Sequence, residues 1–225
     1  AGFMFNYLLN KIYPLSYKSL IFSTAYAIGG YSMMNLPNIL FYDAIVLLPL
    51  SVLGIMKIME NRKTGIFILS LVLSFIVNPY TCYISVAFLC LFFIYQLCIR
   101  YDFKEQISEI KDRTICFVKS MLLSFGLMAA FAVPIVYTLF ESRYAELISY
   151  TKEFYFNPLL WISQMFTGMV DINTYTYNVP FMFLGILILY CIILYFYNDK
   201  ISSKKKIASF VFLLIMYLSF SLLPL

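Results

Sequence analysis

The stretch GIFILSLVLSFIVNPYTCYISVAFLCLFFIYQLCIR, residues 65–100, carries no charged side chain before its last residue, and its one polar break is Asn78-Pro79. Asn is a favoured helix N-cap and Pro a favoured first helical residue, so the pair divides one apolar run into two helices. We read these as 64–77 and 79–99, joined through the tight connection IVNPYTCY at 76–83. At about 1.5 Å per residue the second matches the ~30 Å hydrocarbon thickness of a bilayer, whereas the first covers only about 21 Å. A span that short implies a thinned bilayer or an Asn78 set below the surface.

The rest of the chain has the same character. Of its 225 residues, 63% are hydrophobic and 12% charged, with a mean hydropathy of +0.87, which excludes an ordinary soluble domain. Further apolar windows fall near 17–34, 40–58, 115–140, 181–198 and 207–225. Residues 1–10, AGFMFNYLLN, read as the end of another helix. The expected fold is therefore all-α: a polytopic transmembrane bundle of about seven spanning helices plus a partial one at the N-terminus, with interfacial helices, in a single transmembrane domain 1–225. The abrupt apolar start is what a fragment of a larger protein would show.

Charge placement orients the bundle. If the connection at 61–63 is cytoplasmic, alternation of the spans leaves only Arg143 and Lys152, of sixteen Lys and Arg residues, on the opposite face. This is a strong positive-inside bias, placing loops 61–63, 100–114 and 199–206 on the cytoplasmic side and loop 141–180 outside the cell membrane. The outer face carries Asp43, Glu141, Glu146, Glu153 and Asp171. In the inner connection, DFKEQISEIKDRT (102–114) opens on Asp-x-x-Glu and repeats Phe103, Ile107 and Ile110 at helical spacing, so 101–114 reads as a short amphipathic helix on the membrane surface.

The chemistry available is narrow. Without histidine the commonest general base and zinc ligand are both gone, and no cofactor motif is identified. Cys82, Cys90, Cys98, Cys116 and Cys191 lie in apolar segments without a C-x-x-C pair and read as packing residues. Three outer features remain. The helix start after Asn78 offers N–H groups to an anion such as phosphate, although turn chemistry alone also explains Asn-Pro. Asp43, four residues into the helix expected at 40–58, is either favoured there by the helix dipole or faces an outer cavity. In loop 141–180, NPLLWISQMFTG reads as an interfacial helix over 158–167 bearing the only Trp, Trp161, which either anchors the bundle or walls a lipid-substrate entrance.

The spacing of these motifs resembles a known family. AYAIGGYSMMNLPNILFYDAIVLLPLSVLGIMKIMENRK (25–63) and the run 69–97 that follows are similar to the YfhO family of bacterial multi-pass membrane proteins, through Tyr26, Ala27, Gly30, Tyr31, Phe41, Asp43, Pro49, Gly54, Asn78 and Tyr80. NVPFMFLGILILYCIILYFYNDKISSKKK (178–206) resembles the family's Pro-x-x-x-x-Gly helix and lysine-rich turn. Phe or Tyr stands where the family commonly has Trp before the Asp.

The resemblance implies a C-type glycosyltransferase that moves a sugar from a polyprenyl-phosphate donor to an envelope polymer such as lipoteichoic acid on the outer face. On this reading Asp43 is the catalytic candidate, holding acceptor or donor hydroxyls or assisting an acid in an outer loop upstream, and Asn78, Tyr80, Arg143, Lys152 and Trp161 are the substrate-binding candidates. A fragment without that loop is expected to be inactive. Expected partners are membrane lipids, the donor and the polymer acceptor, with no nucleic acid, and metal dependence stays open. The rival readings are a transporter or flippase of envelope precursors, which needs polar residues at mid-membrane, and a structural subunit.

Overall fold

The structure, a computed structural model, describes residues 1–13, 17–29, 32, 42–103, 105–141 and 186–222. These form eight helices: α1 (Gly2–Ile12), α2 (Tyr17–Ala27), α3 (Tyr42–Asn61), α4 (Gly65–Val77), α5 (Pro79–Arg100), α6 (Ile107–Glu141), α7 (Ile186–Tyr197) and α8 (Ser203–Leu222). The described residues are helical or in short connections, so the all-α expectation holds for them.

Two helical segments, Pro79–Arg100 and Ile107–Pro134, are long and apolar enough to cross a membrane among the described residues, and Gly65–Val77 is apolar but shorter. The expected seven spans are not reached within that set. Two boundaries also differ from expectation. The helix expected over 17–34 ends at Ala27, where Ile28 turns and Gly29 bends the chain. The helix expected over 40–58 is described from Tyr42 to Asn61, with Asp43 near its described start, while residues 33–41 lie outside the described residues. Residues 101–114 are not a helix of their own. Asp102 and Gln106 close a turn, with the Gln106 side chain accepting from Asp102 N–H at 3.0 Å and Gln106 N–H donating to Asp102 O at 3.0 Å. From Ile107 one helix then runs unbroken to Glu141, because no Gly or Pro separates Ile107 from Ile115.

The core gathers Ile55, Ile58, Phe67, Leu71, Leu89, Phe93, Leu97, Phe117 and Met121 from α3, α4, α5 and α6. Phe93 and Phe117 stack at its centre with ring centroids 4.0 Å apart. Around this core serines are buried and large apolar side chains face outward. On α4 the buried face carries Ser70 and Ser74 beside Phe67 and Leu71, while Leu69, Leu73 and Ile76 are exposed. On α6, Ser120 and Ser124 are buried, while Leu122, Leu123, Phe125 and Leu127 are exposed.

A helix in water would lose free energy by this arrangement, since exposed apolar area costs about 25 cal/mol per Å2. In lipid the penalty vanishes, and small residues inside let helix backbones approach closely. The buried hydroxyls are satisfied locally: Ser74 donates to Ser70 O at 2.8 Å, Ser120 to Cys116 O at 2.7 Å and Ser124 to Ser120 O at 2.8 Å. Buried serines beneath exposed apolar side chains, with the two apolar helices, suit a lipid surrounding.

Candidate functional site

The antiparallel contact of α3 and α4 sets the geometry of the end where Asp43 lies. Ser51 Oγ donates to Ser70 Oγ at 2.9 Å in the buried interface. One helical turn on, Gly54 lies against the backbone of Phe67: a Cβ at Gly54 would come within 2.6 Å of Phe67 Cα. Ser51 opposite Ser70 and Gly54 opposite Phe67 share one antiparallel register. Extended along both helices, that register brings the residue after α4, Asn78, level with Asp43. Two of the residues singled out in the sequence are thus brought to one height at one end of the bundle. Arg143, Lys152 and Trp161, with the rest of 142–180 and the helix expected at 158–167, lie outside the described residues.

Asn78 serves both helices it joins. Its N–H closes α4 by donating to Ser74 O at 3.0 Å. Its side-chain Oδ1 then accepts from Tyr80 N at 3.1 Å and Thr81 N at 3.3 Å, with Pro79 at the first helical position. The first donors of α5 therefore already have an acceptor, and a phosphate at this turn would have to displace Oδ1. Tyr80 is about half exposed on the same turn, and its neighbour Tyr83 is more so. Such residues suit a membrane–water boundary, where the ring is apolar and the hydroxyl wet.

These contacts allow capping and ligand binding to be separated by substitution. Asn78→Ala should lower stability by about 1 kcal/mol through loss of the cap. Asn78→Asp keeps an acceptor oxygen in the same place and should retain the stability. If a phosphate binds here, the added charge of Asn78→Asp should weaken it strongly. Thermal unfolding beside lipid-phosphate binding reads both, and intact binding by Asn78→Asp would leave Asn78 a turn residue only.

The opposite end holds a second polar construction that sequence reading missed. The last carbonyls of α3 point at α5 and α6: Arg113 donates to Ile58 O at 3.0 Å and Glu60 O at 3.4 Å, and Tyr101 OH donates to Met59 O at 3.2 Å. Arg62, the residue after α3, turns the chain with φ 55°, and its guanidinium meets Asp112 at 2.8 Å. Lys204 at the start of α8 donates to Tyr101 O at 2.7 Å, so α3, α5, α6 and α8 are joined at this end.

Arg113 is a cation set on the negative end of the α3 dipole, sharing Ile58 O with the Arg62 N–H, which donates to it at 3.2 Å. Arg113→Ala should cost about 1.5–3 kcal/mol in thermal unfolding, the worth of hydrogen bonds to a charged group. Asp112→Ala, which removes an exposed ion pair, should change stability by less than about 1 kcal/mol. A basic residue six positions after Ile107 in an unbroken helix carries no local sign of this role, because its acceptors lie on a helix more than fifty positions away. Among the described residues no cluster of His, Cys, Asp or Glu could hold a metal ion.

The profile of the family described as Bacterial membrane protein YfhO matches residues 1–225. A protein of Bacillus subtilis (strain 168), named "Uncharacterized protein YfhO", is 38% identical over 97 residues, which cover 43% of this chain and 11% of that protein. No solved structure matches the chain. With the match running over its whole length and serines turned inward beneath an apolar exterior, the chain belongs to the YfhO family of bacterial membrane proteins.

Proposed function

We propose that the chain is part of the membrane domain of a glycosyltransferase that transfers a sugar from a polyprenyl-phosphate donor to an envelope polymer such as lipoteichoic acid. The observation that carries this reading is the α3–α4 register, which aligns Asp43 with the Asn78 turn at the end away from the Arg113 construction. An acid near a helix end, level with a boundary turn, would hold substrate hydroxyls or assist a proton transfer next to a headgroup. Arg143 and Lys152 would neutralise the donor phosphate and Trp161 would wall the approach of its lipid. The remaining helices would complete the bundle in the membrane, with the lysine-rich connections on the cytoplasmic side.

The full-length protein carrying Asp43→Asn tests the reading. Envelope sugar incorporation should fall sharply at unchanged membrane abundance, and incorporation at the normal rate would overturn it.

A further inference from the structure

A groove of about 600 Å3 opens between α5 and α8 at the lysine-rich end of the bundle. Leu91, Ile94 and Cys98 of α5 form one wall and Ile207, Val211 and Ile215 of α8 the other, with Lys204 and Phe103 also lining it. Tyr95 and Phe212, rings 4.9 Å apart, join the two helices, and Tyr95 OH bonds Ser209 Oγ at 3.0 Å. The volume is that of a small-molecule site, yet almost the whole lining is hydrocarbon.

The dimensions and the charge point to one kind of occupant. From Lys204 to Ile215 the α8 wall rises about 17 Å at 1.5 Å per residue, close to half the ~30 Å hydrocarbon thickness. The groove therefore has the length of one leaflet's acyl chain. At its Lys204 end, α8 opens Ser203-Lys204-Lys205-Lys206 with no acid in the first turn. Three cations thus crowd the positive end of a helix dipole, an arrangement that an anion relieves. The connection before α8 offers one acid, Asp199, beside Lys200. Lys204 uses one of its three donors on Tyr101 O, which holds the ammonium at the groove with two donors left.

We propose that this groove binds an anionic phospholipid, with one acyl chain between α5 and α8 and the phosphate on Lys204 and the first turn of α8. A zwitterionic headgroup would bring its own ammonium towards the three lysines and gain less. The site lies at the end of the bundle away from Asp43, so it stands or falls independently of the sugar-transfer reading.

The test uses the full-length protein in phosphatidylcholine nanodiscs doped with phosphatidylglycerol bearing a photoreactive diazirine in its acyl chain, with adducts mapped by mass spectrometry. Adducts should concentrate in 91–98 and 207–215 and be competed by unlabelled phosphatidylglycerol but not by phosphatidylcholine. Lys204→Gln, Lys205→Gln and Lys206→Gln together should reduce labelling, by about fivefold for each lysine removed. Ala208→Phe, which fills the groove, should reduce it as well, and the lysine variant keeps the test decisive if Ala208→Phe fails to fold. Adducts spread evenly over other apolar surface such as Leu122 and Leu123, labelling indifferent to headgroup charge or to the lysines, or a groove left unlabelled because another segment fills it, would each overturn the proposal.

Discussion

Gly54→Leu should abolish accumulation of folded protein, and Gly54→Ala should lower stability by about 1–3 kcal/mol, the usual range for overpacking a tight interior. The atoms in the way are backbone: an added Cβ would stand 2.6 Å from Phe67 Cα and 2.7 Å from Phe67 N. Unlike the end of a long side chain, these cannot rotate aside, so α3 and α4 must separate. Separation would also break the Ser51–Ser70 hydrogen bond and loosen the contacts of Phe67 with the core.

The hydrogen bond itself is the smaller term. Interhelical hydrogen bonds in membranes average about 0.6 kcal/mol, so Ser51→Ala should be tolerated where Gly54→Ala is not. Thermal unfolding in detergent, read with membrane abundance, compares the two. A Ser51→Ala protein less stable than Gly54→Ala would mean that the polar contact, not the close approach, holds the pair together. Because the same contact sets the height of Asn78 against Asp43, Gly54→Ala should also reduce activity beyond the fraction of protein lost.

Asp43→Asn is expected to reduce envelope sugar incorporation by about 10²-fold or more, the scale on which removing an acid or base acts. It should leave stability nearly intact. Asp43 is the second residue of α3, and a carboxylate in the first turn gains only about 0.3–1 kcal/mol from the helix dipole. A small loss of stability beside a large loss of incorporation therefore separates a chemical role from an end effect, and the converse pattern would assign Asp43 to the helix alone. Asp43→Glu retains the charge on a longer stem and should keep a measurable part of the activity, since position as well as charge matters in such a site.

What could be read from residues alone was local. The Asn78-Pro79 break marked the α4–α5 turn because capping and proline geometry act over a few neighbouring positions, and the observed helices begin and end within a residue of that expectation. The membrane character followed from composition and from long uncharged runs. Asp43 and Asn78 could be singled out as polar residues at apolar helix ends, but not as neighbours in height.

Only the tertiary structure decided which faces meet. α4 is apolar apart from Ser70 and Ser74, which share one face four positions apart, and the sequence does not show that this face turns inward while Leu69 and Leu73 turn out. In lipid the inner face is chosen by close fit between helices, as at Gly54 and Phe67, and fit depends on a partner distant in the chain. The same reason hid Arg113: a guanidinium serves the carbonyls of another helix only once α6 has packed beside the end of α3. The continuity of α6 has a local cause instead, since no Gly or Pro interrupts the helix between the turn at Asp102–Gln106 and Ile115. Local propensity names the helices, and packing in a solvent without hydrophobic bias decides their faces and their register.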